Sequence, residues 1–381
     1  MPNTYRMINA TKDLVAFCDL ARAAGWLALD TEFVRTRTYY AKLGLVQLWA
    51  AGEWLIVDPL NGVDLTPLWQ LLREKQVTTV MHAAGEDLEI INQQCPGAPQ
   101  HMFDTQIAWS FLHEGAQIGY AGMVEEMCGV SLDKSLSRTD WLKRPLTGPQ
   151  LDYAAADSLY LAQVYPELKQ RIEAASQYEY FVQECAFQVT KRSRKANPDY
   201  AWREVSGFAQ MKGVQRSVMA ELAKWRMQCA QQEDIALPFL MRDPVLTDIA
   251  LQQPSCKAAL AEIKDLHPRV LRQRGKEILA AIQRGQAVPE QNWPRLIPRL
   301  DDHSQYKQWF KEAKALIKTS AEQVGVAPSL LGSRKQINDV FVWSKYTDDA
   351  VKAAVPKPEL LLSWRYGVAG KAVLALADGL S

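Results

Sequence analysis

The sequence predicts an α/β fold: a mixed-sheet domain with helices on both faces, followed by two small all-α domains. Three observations carry this expectation. Residues 1–170 alternate short apolar, strand-like runs with helical segments. From about residue 171 strand signals nearly vanish. The helical remainder holds a repeat at an offset of 91 residues, in which IALPFLMRD (235–243) aligns with VAPSLLGSR (326–334). At 381 residues the chain is too long for one ordinary core, and domains are expected at 1–190, 205–290 and 300–381.

The elements follow in order. TKDLVAFCDLARAAG has helical apolar spacing and stops at Gly25. WLALDTEF, LGLVQLWAA and EWLIVDPL read as three buried strands. LTPLWQLLREK is a helix with Pro67 at its start, where the missing amide costs nothing. TTVMHA is a strand leading into the helix GEDLEIINQQ, and HMFDTQIAWSFLH is a helix after a short extended stretch. GYAGMVEEMCGV is a helix ending near Gly129. Gly148-Pro149 opens a long helix that contains Pro166, where a bend is expected. KRSRKANPDYAW (191–202) reads as a polar linker. Residues 210–285 read as four or five short helices, the proline-rich 286–300 interrupts them, and the last 80 residues are helical again with a break near VPKPEL.

Composition narrows the class. Hydrophobic residues make up 48% and charged residues 23%, as in a soluble globular protein. The N-terminus lacks the basic-then-apolar layout of a signal peptide, and no apolar run approaches the roughly 20 residues that span a bilayer. Six cysteines with no CxxC pair point to reduced thiols in a cytoplasmic protein. The net charge of +1 hides an asymmetry: residues 1–170 hold 13 Lys and Arg against 20 Asp and Glu, whereas the rest of the chain is net basic. An acidic front half repels phosphate unless cations intervene, while a basic rear half suits a polyanion.

Four carboxylates stand in apolar segments, where a charge is costly unless compensated: Asp30 and Glu32 in LALDTEF, Asp87 in HAAGEDLEI and Asp157 in LDYAAADSLYL. Strand alternation puts Asp30 and Glu32 on one face, where they repel unless a cation lies between them. A carboxylate in the first helical turn is favoured by the helix dipole alone, but helical spacing puts Asp87 on the inward stripe and Glu86 and Glu89 outward. Tyr153 and Asp157, four apart, share a helix face, and Ala154 to Ala156 keep the surface beside them low. Each motif alone has a structural reading: a strand end, a helix start, a tyrosine–carboxylate bond. His82 fits a hydrogen-bonded structural role, and Gly85 permits a tight strand-to-helix turn. Gln47 is placed to touch a nucleotide, and Lys134, Arg138, Lys143 and Arg144 to reach phosphates. Trp141 either packs a base or fills the core.

DTEF, HAAGED and Tyr153-x-x-x-Asp157 together resemble the three motifs of the DEDD exonuclease superfamily, in its tyrosine-containing branch. DTEFVRTRTYYAKLGLVQLW, LDKSLSRTDWLKRPLT and LDYAAADSLYL resemble the bacterial ribonuclease D family, and the repeats after residue 210 are similar to its paired HRDC (helicase and RNase D C-terminal) domains. The resemblance spans essentially the whole chain and implies a ribonuclease H-like core. It further implies a 3′→5′ exoribonuclease that releases nucleoside 5′-monophosphates and acts on RNA, notably the 3′ trailers of tRNA precursors. Asp30, Glu32, Asp87 and Asp157 would bind two Mg²⁺ or Mn²⁺ ions, and Tyr153 would orient the attacking water. A monomeric, cytoplasmic enzyme is expected. A DNA 3′→5′ exonuclease and a catalytically silent nucleic-acid-binding module are the alternatives.

Overall fold

A computed structural model describes residues 5–133, 135–137 and 139–379. The chain opens with β1 (Arg6–Ile8), α1 (Thr11–Ala24), β2 (Trp26–Val34), β3 (Lys42–Ala50) and β4 (Glu53–Val57). α2 (Thr66–Leu71), β5 (Thr78–Met81), α3 (Gly85–Gln94), β6 (Met102–Asp104), α4 (Thr105–Leu112) and α5 (Tyr120–Cys128) follow. The strands form one mixed sheet in the order β1-β4-β3-β2-β5-β6. β3 is antiparallel to both its neighbours; β1, β5 and β6 pair in parallel. The extended stretch foreseen before residue 105 is therefore an edge strand, and α2 ends sooner than LTPLWQLLREK suggested.

The two sheet faces have different cover. Leu27, Leu29, Val46, Leu48, Leu55 and Val57 join α1 and α2 in the main core. Across the other face runs α6 (Gly148–Glu173), continuous through Pro166. It starts at a capping box between Thr147 and Gln150, which satisfies amides that a helix start leaves free. Ala154 and Ala155 are fully buried against Leu45 and Ile56, and the Trp54 indole donates to the Ala155 carbonyl at 2.9 Å. Those two alanines set how closely the helix approaches the sheet; only Ala156 of the three reaches the cavity described below.

α7 (Tyr178–Arg192) then leads into the helical part: α8 (Gln215–Glu233), α9 (Leu237–Leu240), α10 (Asp243–Gln252), α11 (Lys257–Ala261) and α12 (Pro268–Ala287). Two of these are long, not short. The expected linker also differs: its second half is a 3₁₀ helix, Pro198–Glu204, whose Trp202 stacks on Phe208 in a core of its own with Val218, Leu222 and Ile278. α13 (Tyr306–Val324) and α14 (Pro328–Leu331) repeat α8 and α9 with both ends displaced by 91 residues, and α15 (Arg334–Tyr346) starts 91 residues after α10. After α16 (Asp349–Ala354) the likeness stops. Where α12 is one helix, the second unit has α17 (Ser363–Arg365), a π turn over Tyr366–Gly370 and α18 (Lys371–Gly379).

The two helical units attach differently. The second shares the main core, with the Trp364 ring 5.8 Å from Phe111 and 5.1 Å from Tyr180. Beneath them, buried Arg365 pairs with buried Glu184, which also accepts the Trp364 indole N–H at 2.8 Å. The first keeps a separate core and is tied to the β2–β3 loop, where the Ala236 amide donates to the Arg37 carbonyl at 2.9 Å and Tyr40 to Asp234 at 2.9 Å. Among the described residues no helix is long and apolar enough to cross a membrane. The six cysteines are all free thiols.

Candidate active site

The acids meet where β2, α3 and α6 converge, in a cavity of about 640 Å³. Asp30 and Glu32 project from the α6 side of β2; a register shift between Glu32 and Phe33 ends regular pairing just beyond them. Asp157 reaches them from α6. Asp30, Glu32 and Asp157 each offer an oxygen within 4.8 Å of the other two. Three carboxylate oxygens that close are a donor set for a hard divalent cation and repel one another without one.

Asp87 approaches from the opposite side of β2. It is buried, and the Thr31 hydroxyl donates a short hydrogen bond to its carboxylate. Strand alternation makes this possible, because Thr31 points away from the face that carries Asp30 and Glu32. The start of α3 is fixed by Asp104, whose carboxylate accepts the amides of Ala83 and Ala84 while capping α4. Gly85 opens that start, and a Cβ there would lie 2.8 Å from the Arg192 guanidinium, which would have to shift. Glu89, one turn on, is held by Arg35 and Arg192, and Glu86 is exposed at the cavity rim.

Burial and mutual repulsion push all four acids upward. Asp30 rises well above the ordinary carboxylate range through burial and the charges of Asp87, Asp157 and Glu32. Burial, then Asp157 and Asp87, lift Glu32 to about 9. Burial and Asp87 lift Asp157 to about 7; Asp87 itself reaches about 6, its burial offset by the Thr31 hydroxyl. Tyr153 is half-buried and raised by burial and the neighbouring acids, so its phenol stays protonated near neutrality.

Some sequence expectations need correcting. Trp141 is 1% exposed and fills the core beneath Tyr153, with Gly44 so close that a Cβ there would stand 2.7 Å from the Trp141 carbonyl oxygen. No base can stack on it. Arg144 does not face phosphate: its guanidinium grips buried Asp58 through two bonds of 2.6 and 2.7 Å and donates to the carbonyls of Gly44 and Trp141. Gln47 lies opposite Asp30 in the ladder but is fully buried, out of a nucleotide's reach, its amide without a hydrogen-bond partner among the described residues. Lys134 and Arg138 lie outside the described residues. His82 bonds Thr105 at 2.9 Å and borders the cavity.

Two residues escaped the sequence reading. Thr31 carried a signal, being the polar residue of β2 that alternation sends toward α3. Tyr120 carried none. Its ring packs edge-on against His82 and its hydroxyl donates to the Asp157 carbonyl at 2.5 Å, steadying the turn of α6 that bears the acid.

A mixed sheet with an acidic pair on a central strand, a third acid on α3 and a tyrosine–aspartate pair on α6 has the make-up of a carboxylate-type, metal-dependent phosphodiesterase. The 3′-5′ exonuclease family model matches residues 5–173, the HRDC domain 215–282, and the ribonuclease D C-terminal HRDC domain 304–373. Ribonuclease D of Cronobacter turicensis is 37% identical over 97% of this chain and 99% of its own length; that of Escherichia coli is 37% identical over 95% of each. The crystal structure of Escherichia coli RNase D, described as an exoribonuclease involved in structured RNA processing, superposes with a TM-score of 0.89 over 98% of both chains at 37% identity. The chain belongs to the ribonuclease D family, and its activity is that of a 3′→5′ exoribonuclease.

Proposed function

We propose that the chain trims the 3′ ends of structured small RNAs, tRNA precursors above all, releasing nucleoside 5′-monophosphates as a cytoplasmic monomer. The observation that carries the reading is the convergence of Asp30, Glu32 and Asp157 within 4.8 Å at the base of a cavity that Asp87 and Tyr153 also line. Two divalent ions, Mg²⁺ or Mn²⁺, fit this all-oxygen donor set; when bound they supply charge for the scissile phosphate and acidify water. Asp30, Glu32, Asp87 and Asp157 would hold the two ions.

The chain's own groups do the rest. Tyr153 keeps its proton and directs the attacking water by hydrogen bonding instead of taking a proton from it. Thr31 holds Asp87, and Tyr120 holds the backbone of Asp157, so the acids meet the substrate in fixed positions. The cavity is lined by acids, so substrate phosphate is repelled until cations are in place. A single-stranded 3′ end must enter this cavity, and a duplex end blocks progress.

The test is hydrolysis of a tRNA precursor labelled at its 5′ or its 3′ end, with Mg²⁺, Mn²⁺ or EDTA. Stepwise shortening of the 5′-labelled RNA with release of labelled mononucleotide from the 3′-labelled one is expected, and EDTA abolishes both. Asp30→Asn should lose more than about 10³-fold in turnover while keeping the fold. Near-normal turnover in that variant would sink the assignment of the acids.

A further inference from the structure

A second groove, of about 880 Å³, opens between the β2–β3 loop and the first helical unit. On it lies Phe239 of α9, 57% exposed, more than any other large apolar side chain among the described residues. The Arg37 guanidinium stands over its ring, 6.0 Å from the centroid, and the rest of the side chain faces the groove. Arg242 and Arg269 border the same groove, and all three arginines are exposed. Among the described residues none of the three takes part in an ion pair. Neighbouring Arg274 behaves in the ordinary way, gripped by Glu233 and Glu277. With Glu233 so engaged, Asp265 alone opposes the three guanidinium groups along the groove.

A largely exposed aromatic ring among guanidinium groups that form no ion pair adds little to folding stability. It is the pair of features that a single nucleic-acid strand needs: a π-face for a base, cations for its phosphates. The groove is also near the cavity. Arg37 follows Phe33, which lines the catalytic cavity, by four residues, a span of at most about 14 Å of extended chain. A strand whose 3′ end lies among the acids meets the groove within a few nucleotides.

We propose that this groove holds the single-stranded RNA just upstream of the 3′ end, one base stacked on Phe239 and its phosphates on Arg37, Arg242 and Arg269. The assignment rests on the exoribonuclease reading above. It makes the first helical unit and the nuclease loop one substrate surface, and it predicts that affinity depends on substrate length.

The test compares the full chain with two variants, Phe239→Ala and Arg242→Gln/Arg269→Gln, on a trinucleotide and a single-stranded dodecanucleotide in Mg²⁺. Phe239→Ala should raise KM for the longer RNA about tenfold, the worth of one base–aromatic stack, with kcat and all trinucleotide kinetics unchanged. Phe239→Trp should restore the lower KM. The double arginine variant should lessen the slope of log(kcat/KM) against log[salt] by about 1.4, or 0.7 for each phosphate no longer neutralised. Unchanged kinetics on the longer RNA in both variants would overturn the proposal, as would equal losses on both lengths. If the wild-type chain hydrolyses neither RNA, the exoribonuclease reading falls first and the groove assignment with it.

Discussion

At the scale of single residues, the site is a balance of repulsion against compensation. Thr31 shows how one hydroxyl enters it. Thr31→Val keeps the shape but leaves Asp87 without its donor, so that carboxyl rises further and surrenders its proton less readily. Mn²⁺ affinity should fall between about 10- and 100-fold, read by titration calorimetry, with the unfolding midpoint in EDTA little changed. The raised acids also fix a pH dependence. Glu32, at about 9, and Asp157, at about 7, keep protons in the folded protein that the unfolded chain, near 4.5 and 3.8, has already released. The folded state therefore binds more protons, and metal-free stability falls as pH rises from about 4 to 9. In EDTA the thermal midpoint should drop from pH 6 to pH 8, and saturating Mg²⁺ should raise it more at pH 8. A midpoint that rises with pH in EDTA would contradict the placement of the acids.

At the scale of elements, local signals mark where helices start and strands run, but not what their side chains meet. Arg144 is the case in point. In the sequence it is one of several basic residues beside a tryptophan, the pattern of a phosphate contact. In the fold it neutralises Asp58, which is 2% exposed at the end of β4. Arg144→Met should cost about 3 kcal/mol in urea unfolding, because it strands a buried carboxylate. The salt slope of RNA hydrolysis should stay at its wild-type value, which separates a clamp from a phosphate ligand. α6 teaches the same lesson with alanines. Their smallness suggested open space, yet Ala154 and Ala155 serve to let the helix touch the sheet.

At the scale of the molecule, the two helical units are repeats in sequence but not in attachment. The second is part of the nuclease core, locked by Arg365 on Glu184; the first hangs on loop contacts and keeps its own core. Arg365→Met should lower stability by about 3 kcal/mol, again by leaving a buried carboxylate unpaired, and the nuclease and second unit should unfold in one transition. Separate transitions for those two, seen by calorimetry, would contradict the shared core. The first unit is free to act as a substrate surface because its hydrophobic needs are met internally.

Fold class, the order of most strands and helices, the 91-residue repeat and the family motifs that single out Asp30, Glu32, Asp87 and Asp157 were all legible in the linear chain. They rest on periodicity, turn residues and motif spacing, which are local properties. Even Asp87 was separable from Glu86 and Glu89 on helical spacing alone. Packing settled which polar and aromatic groups are spent on folding: Arg144 on Asp58, Gln47 under α6, Trp141 beneath Tyr153. It also brought Thr31 to Asp87, Tyr120 to Asp157 and Arg37 to Phe239, pairs 56, 37 and 202 residues apart. Burial and long-range pairing depend on how elements pack against one another, and no single segment carries that information.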